Sequence, residues 1–332
     1  MQHVAIVGAG ATGTRIARQV ARSDADCSIT LVDAVDGVAE AAASALGGHV
    51  ASAPGGQIPK DASLVVLATR AGTHAELAQR CLPQADTIVS VADSVPDVRG
   101  LLDLDDLAQA HACKLVVGAG MMPGLTDILA AHGSRRIDDL REIHVSKFGT
   151  GGPDCARQHH RALKGLCYDW RGSAWNRRPG GSGRELAWFP PPVQAADCYR
   201  AALADPLLLV RMHPNVERIT SRLAATRRDR LTMHLPMLRR PHPEGLLGAV
   251  RVELRGTRDG AQIEIVLGVA ERPAVAAGAV AATAISRFLE NPDEGEPGSG
   301  GLAEWVDSTN FLHRLRDRGL RPEIFIGADE TY

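Results

Sequence analysis

The sequence has few aromatic residues, no marked excess of either charge and no long apolar run, and each absence excludes a class of protein. Phe, Trp and Tyr make up 4% of the 332 residues, so cores must be built from aliphatic and small side chains. The net charge of −2 gives no basic footprint for nucleic acid. No apolar stretch reaches the roughly 18 residues of a transmembrane helix. The first residues lack the basic start and apolar stretch of a signal peptide.

Cysteine is also sparse. The six cysteines are widely scattered and form no C-x-x-C pair, a pattern typical of reduced thiols in a cytoplasmic protein. Hydrophobic residues make up 45%, which is enough for globular cores, and the length fits two ordinary domains. We therefore expect a cytoplasmic protein of two domains that contacts neither membrane nor nucleic acid.

Strand and helix patterns alternate over roughly the first 120 residues. The predicted strands are 3–7, 29–32, 63–68, 87–91 and 114–117, and the predicted helices are 11–22, 38–46, 73–81 and 101–112. Such alternation is typical of a parallel sheet with right-handed crossovers and helices on both faces. The sequence therefore predicts an α/β fold: a Rossmann-type, doubly wound parallel sheet that binds a dinucleotide, within residues 1–122.

The remainder predicts an α+β domain with an open mixed or antiparallel sheet, over residues 123–299. The predicted strands are 142–148, 250–255 and 262–269, and the predicted helices are 126–132 and 274–289. A further short helix, 308–318, is predicted after this domain. Residues 256–260 (G-T-R-D-G) between the last two strands are typical of a hairpin turn.

A phosphate-binding motif, G-A-G-A-T-G, spans Gly8–Gly13, directly after a predicted strand and at the start of a helix. In this motif the first glycine allows a tight turn, the second admits the pyrophosphate and the third lets helix and strand pack closely. The helix N-terminus supplies N–H groups for the phosphates. The predicted contacts are Gly8, Gly10, Ala11, Thr12 and Gly13.

Asp33 ends the second predicted strand, 20 residues after Gly13 (33 − 13), where an acidic side chain accepts hydrogen bonds from the adenosine ribose. A 2′-phosphate would meet this carboxylate, and residues 34–36 offer no arginine, so we expect NAD rather than NADP. The alternative role, a helix N-cap, does not explain the spacing. Because the carboxyl ends of strands line the cofactor crevice, we add Ala68, Thr69, Arg70, Ala92 and Gly118 to the predicted cofactor contacts.

The sequence resembles the saccharopine dehydrogenase-like oxidoreductases. The resemblance rests on residues 4–13, on 117–127 (V-G-A-G-M-M-P-G-L-T-D), on the turn and helix at 256–260 and 274–289, and on 301–319. It implies NAD(P)-dependent chemistry at a carbon–nitrogen bond, often with amino-acid substrates, and a C-terminal segment, 300–332, that returns to the dinucleotide domain. Residues 149–200 depart from the family, so the substrate is not carried over.

The segment from Lys147 to Lys164 is dense in residues capable of proton transfer. Lys147, His159 and His160 are candidate acid–base groups for hydride transfer at a carbon–nitrogen bond, and a solvated helix face is the alternative. Cys155 with the two histidines suggests zinc, but no second cysteine lies nearby, so we predict no metal site.

Arginines are concentrated in two later stretches. Arg178 and Arg184 flank a glycine turn and are candidates for binding a substrate carboxylate, since guanidinium binds planar anions bidentately; a lid or a plain surface loop is the alternative. Residues 211–258 hold 11 arginines against four acids. We attribute this excess first to strand and loop faces paired with acids elsewhere, with an anionic substrate or an acidic partner as the alternative.

Together these features predict an NAD(P)-dependent oxidoreductase that acts on a small, anionic, amino-acid-like substrate by amine oxidation or imine reduction. Two alternatives stay open: a carbonyl or enone reductase on the same scaffold, and a non-catalytic NAD-binding sensor. We expect a homodimer through the second domain's sheet, because open sheets need their edges covered.

Overall fold

The computed structural model describes residues 2–23, 26–237 and 240–324. Its first elements are β1 Gln2–Val7, α1 Ala11–Ala21, β2 Cys27–Val32, α2 Val38–Leu46, β3 Val50–Ser52, β4 Leu64–Leu67, α3 His74–Cys81, β5 Thr87–Ser90, α4 Val95–Leu102, α5 Asp105–Ala110 and β6 Lys114–Val117. They continue with α6 Leu125–Ser134, β7 Asp139–Phe148, α7 Pro153–Lys164, β8 Leu166–Arg171, β9 Ala174–Pro179, β10 Glu185–Phe189, β11 Gln194–Arg200, α8 Asp205–Met212, β12 Arg218–Ala224 and α9 Arg227–Thr232. The last are β13 Gly248–Arg258, β14 Ala261–Glu271, α10 Pro273–Glu290, β15 Gly298–Gly301, α11 Leu302–Trp305, α12 Ser308–Asp317 and β16 Glu323–Ile324. None of these helices has the length and apolar character needed to cross a membrane.

The first unit is built on a seven-stranded sheet in the order β15-β6-β5-β4-β1-β2-β3, in which every pair is parallel. The central strands β1 and β4 are apolar, and their residues 4–7 and 64–67 are buried, as a sheet covered on both faces requires. Strands one to six follow the doubly wound order, which confirms the predicted fold class.

Two later segments complete the first unit, which comprises the residues up to Gly124 together with Ala274–Trp305. Strand β15 pairs with β6 in parallel. Helix α10 lies against α1, where a Cβ on Gly278 would stand 2.8 Å from Cβ of Arg15. The sequence predicts this helix in the second domain; its alanine-rich face and Gly278 instead allow a close approach to α1 of the first unit.

The second unit comprises Leu125–Pro273 and the chain from Val306 onward. Its nine-stranded sheet runs β10-β11-β12-β7-β13-β14-β16, with β8 on β12 and β9 on β8. The pairing of β7 with β12 is parallel and the others are antiparallel, which confirms a mixed sheet. Strands β8 to β12 arise from a stretch in which the sequence analysis predicted no strand.

The C-terminal segment divides between the two units rather than returning whole to the first. Residues 298–305 join the first unit, whereas α12 packs on α6 in the second. There Asp307 caps α12 and pairs with Arg135 at 2.5 Å, and His132 Nδ1 lies 3.1 Å from Thr309 Oγ1. Residues 325–332 of the predicted returning segment lie outside the described residues.

Candidate functional site

The glycine-rich loop is tightly packed on its inner side and open at its tip. A Cβ on Gly13 would stand 1.7 Å from the carbonyl oxygen of Gly8, and one on Gly8 would stand 2.4 Å from that of Ala68. A Cβ on Gly10 would meet no atom within 4 Å. Helix α1 begins next to Gly10 without a side-chain cap, so its first N–H groups are available to an anion.

Asp33 lies directly beside this loop. One carboxylate oxygen, Oδ2, accepts a hydrogen bond of 2.8 Å from the N–H of Ala9, and Oδ1 accepts one of 2.9 Å from Val35. The loop is also fixed to the end of β2 by a bond of 2.7 Å from the Gly8 N–H to the carbonyl of Val32. The carboxylate is therefore oriented at the carboxyl end of β2, where ribose hydroxyls bind in dinucleotide folds.

The other predicted cofactor residues lie at the same edge of the sheet. Ala68 and Thr69 follow β4, and the Ala68 N–H donates to the carbonyl of Val7 at 2.8 Å. Ala92 follows β5 and its N–H donates to Ser90 Oγ at 3.2 Å; Gly118 follows β6 in a left-handed conformation (φ 72°). Arg70 is exposed. The chain order reverses between β1 and β4, which is where ligands bind in this topology.

A histidine that the sequence analysis missed holds these strand ends together. His74 is buried, with Nδ1 2.9 Å from Ser90 Oγ and Nε2 3.0 Å from the carbonyl of Thr69. Burial lowers the pKa of His74, and the nearby Asp97 carboxylate opposes this only in part. The neutral ring donates from Nε2 to Thr69 and accepts the Ser90 hydroxyl at Nδ1, so it connects the loops after β4 and β5.

In the second unit, Lys147 and His159 form a buried pair. Lys147 extends from β7 and His159 from α7, and Nζ lies 3.3 Å from Nε2. Cys155, one turn earlier on α7, places Sγ 3.7 Å from the same nitrogen. A lysine ammonium has donors but no acceptor, so Nζ is the donor and Nε2 the acceptor in this contact. The pair offers a positioned proton donor and acceptor.

The pair lies at the wall of a cavity of about 720 Å³. Its lining comes from the end of β7, from α7, from the middle of β11, from the end of β12, from α9 and from Met237, Arg240, Pro241, His242, Leu246 and Leu247. Both predicted histidines line it, whereas Lys147 stands behind His159. His160 Nε2 is 2.8 Å from the carbonyl oxygen of Leu235, so this nitrogen is already bonded. The volume is within the range of small-molecule sites.

Comparison with known proteins gives a consistent result for the fold. No protein-family model matches the chain, and no curated protein is significantly similar in sequence. Apo saccharopine dehydrogenase (L-Glu forming) from Saccharomyces cerevisiae aligns over 98% of this chain and 100% of that chain, with a TM-score of 0.70 and 12% identity. The protein has the saccharopine dehydrogenase-like fold.

Two further solved structures share this saccharopine dehydrogenase-like fold at 14% identity. DAP dehydrogenase from C. glutamicum, in complex with DAP, has a TM-score of 0.56, with 95% of each chain covered. An engineered D-amino acid dehydrogenase bound to NADP+ has a TM-score of 0.53, again with 95% of each chain covered. The resemblance that the sequence indicated is confirmed at the level of fold.

Arg178 and Arg184 do not line the cavity. Arg178 is exposed on β9, and Arg184 forms an ion pair of 2.9 Å with Asp197. The glycine turn between them is held by bonds from Gly180 N–H to the Gly165 carbonyl and from Gly181 N–H to the Arg200 carbonyl, both 2.8 Å. A substrate-binding role for the two arginines stays a prediction.

Eight of the 11 arginines in residues 211–258 fall into two groups. Within the described part of the chain, five form ion pairs with acids: Arg218, Arg222, Arg251, Arg255 and Arg258. Three others line the cavity: Arg227, Arg228 and Arg240. The excess was the one signal in the sequence that pointed to these cavity residues, but it gave no means of separating them from the paired arginines.

Proposed function

We propose that this protein is an NAD-dependent oxidoreductase that transfers a hydride between nicotinamide C4 and a carbon bonded to nitrogen in a carboxylate-bearing, amino-acid-like substrate. The observation that carries the proposal is the phosphate loop. Gly13 has no room for a side chain, Gly10 faces open space, and the Ala9 N–H donates to Asp33. The solved structures that share the fold are named as dehydrogenases of saccharopine, DAP and D-amino acids, which supports the reaction class.

Two features of the first unit support NAD as the cofactor. Open space at Gly10 admits the pyrophosphate to the start of α1, whose N–H groups bind it. The Asp33 carboxylate accepts the adenosine ribose hydroxyls and repels a 2′-phosphate. Bound NAD supplies the hydride acceptor, and NADH the donor. Ala68, Thr69, Ala92 and Gly118 border the remainder of the cofactor.

Acid–base chemistry is assigned to the pair in the second unit. His159 faces the cavity and exchanges a proton with the substrate nitrogen, while Lys147 donates to Nε2 and fixes the ring. His160 also faces the cavity, but its Nε2 partner is the Leu235 carbonyl, which has no exchangeable proton, so we assign it the smaller contribution. General acid–base catalysis of this kind contributes about 10²- to 10⁴-fold.

Titration with NADH and NADPH, followed by nicotinamide fluorescence, tests the cofactor assignment. A panel of amines and imines, with ketones and enones as competitors, then tests the reaction. Turnover of amines or imines with NAD(H) supports the proposal. Turnover confined to ketones or enones would replace it with a reductase of carbonyls or activated alkenes, and tight NADH binding without turnover would indicate a sensor.

The assembly proposed for this enzyme is a homodimer through the second unit's sheet. Strand β10 ends the strand order and exposes Leu186 and Trp188, an apolar edge that a second copy would cover. Sedimentation equilibrium of the parent and of Trp188→Asp measures this. A dimeric parent and a more weakly associating variant are expected, with Leu231→Asp, which changes an exposed leucine on α9, as the control; a monomeric parent rejects the assembly.

A further inference from the structure

The cavity of the second unit is larger than an amino acid requires. At about 720 Å³ it falls within the range of about 300–1,000 Å³ that encloses ligands of drug size. Part of its wall is apolar: Phe148, Leu163, Leu223, Met237, Leu246 and Leu247. Leu246 and Leu247 remain 66% and 38% exposed, so this wall offers uncovered apolar surface to a ligand.

The polar part of the wall is cationic. Arg227, Arg228 and Arg240 line the cavity, and within the described residues none of them forms an ion pair. The two acids in the lining are engaged elsewhere. Asp229 accepts from the N–H and the hydroxyl of Thr226, at 2.9 and 2.7 Å, and Asp197 pairs with Arg184. Three guanidiniums are therefore left to bind an anion from outside.

We propose that this cavity binds an amphiphilic anion, a carboxylate-bearing molecule whose apolar body is larger than an amino-acid side chain. The carboxylate lies against the arginines at the start of α9, where guanidinium binds bidentately, and the body packs on the leucines of the opposite wall. Naming this molecule as the substrate rests on the proposed function; the binding itself does not.

N-Dansyl-L-phenylalanine is the probe for this site, because its emission rises in an apolar environment and it carries one carboxylate. Its primary amide has the same body without the charge. We expect one probe per protein chain, with the amide about tenfold weaker, as loss of a charge-assisted hydrogen bond predicts. N-Acetylglycine, which has the carboxylate without the body, should fail to displace the probe at matched concentration.

Two pairs of variants assign the binding to the cavity. Arg228→Gln should weaken the probe about tenfold, whereas Arg258→Gln, which changes an exposed arginine paired with Asp259 outside the cavity, should leave its affinity within about twofold. Leu246→Asn should weaken it several-fold, whereas Leu231→Asn, at a residue that is 73% exposed and absent from the lining, should not.

The probe is titrated without nicotinamide cofactor, and NADH is titrated in parallel. Binding of the probe in the cavity and binding of the cofactor are therefore measured independently. Probe binding that depends on Arg228 and Leu246 supports the inference even where NADH fails to bind. Absence of binding, equal affinity for the amide, or indifference to both cavity variants overturns it, and normal NADH binding in that case leaves the proposed function standing.

Discussion

The Asp33 carboxylate accepts a hydrogen bond of 2.8 Å from the backbone N–H of Ala9, which fixes the phosphate loop to the end of β2. The second oxygen of the same carboxylate is held by Val35. Because both oxygens are fixed by backbone donors, the negative charge stands in place before a cofactor binds. We therefore expect a ribose with free hydroxyls to find acceptors there and a 2′-phosphate to be repelled.

Asp33→Ala should therefore weaken NADH binding and remove the discrimination against NADPH. Hydrogen bonds to a charged group contribute about 1.5–3 kcal/mol, which corresponds to a loss of roughly ten- to a hundredfold in NADH affinity. Fluorescence titration measures both cofactors. Asp36→Ala, at an exposed acid three residues further on, is the matched control. An NADH affinity that Asp33→Ala leaves unchanged would show that Asp33 supports only the loop.

Gly13→Ala should destabilise the protein, whereas Gly10→Ala should leave its stability almost unchanged. The Gly13→Ala methyl would stand 1.7 Å from the Gly8 carbonyl oxygen, so the loop must move, and overpacking of this kind costs about 1–3 kcal/mol. The Gly10→Ala methyl meets no protein atom within 4 Å. It should leave the free energy of unfolding within about 0.5 kcal/mol.

Cofactor binding should nevertheless fall in both variants, because the Gly10→Ala methyl occupies the approach of the pyrophosphate. Urea unfolding and NADH titration measure the two effects separately. Full NADH affinity in Gly10→Ala would mean that the pyrophosphate does not pass over this residue.

The features that sequence could predict are local in the chain. Residues 4–7 and 64–67 are apolar runs that read as buried strands without knowledge of their neighbours, and the Gly8–Gly13 loop and Asp33 follow from spacing. Strands β8 to β11 form two local hairpins, and they were missed because their stretch, rich in glycine, proline and arginine, lacks the clear apolar alternation of a strand. Strand β12 was missed because it pairs with strands distant in the chain: Arg218 lies beside Glu142 and Arg171 in the sheet. Local pattern does not report such long-range pairing.

The cavity was beyond prediction for the same reason. Its walls come from α7, from the middle of β11, from the end of β12 and from residues 240–242 and 246–247, and no spacing in the sequence indicates that they meet. The role of His74 could not be predicted from the sequence for a similar reason. It lies on a helix with an ordinary amphipathic pattern, and only the structure shows that its ring reaches Ser90 and the Thr69 carbonyl.

His74 should make the stability of the protein depend on pH. Burial lowers its pKa in the folded state, whereas the unfolded chain titrates near the usual value of about 6.5. The unfolded state therefore binds more protons below that pH. The contribution of His74 to the free energy of unfolding is fully present above a pH of about 6.5. It is lost as the pH falls towards the folded-state pKa, by at most about 1.4 kcal/mol per pH unit for one proton.

His74→Gln removes this proton, so the free energy of unfolding should fall less steeply between pH 7 and pH 5, although the variant is less stable at pH 7. Ser90→Ala is the control, because it removes a hydrogen bond to Nδ1 but keeps the imidazole buried. It should be less stable at every pH and retain the steep dependence. Urea unfolding at several pH values provides the comparison, and parallel curves for the parent and His74→Gln would refute the assignment.

The two adjacent histidines of α7 should differ in their effect on turnover. Both line the cavity, but His160 Nε2 is bonded to the Leu235 carbonyl, whereas His159 is held by Lys147 at 3.3 Å. His159→Asn should lower kcat about 10²- to 10⁴-fold, the contribution of a general acid–base group, and His160→Asn should lower it less than about tenfold. Lys147→Met should lower kcat and change the pH profile, since the ring loses the charged donor beside Nε2, and Lys147→Arg should restore part of the rate. Steady-state kinetics with an amine or imine from the substrate panel measures all four, with NADH affinity and thermal unfolding showing that each variant is folded. Equal losses in the two histidine variants would show that the pair of Lys147 and His159 supports the structure and that proton transfer uses another group.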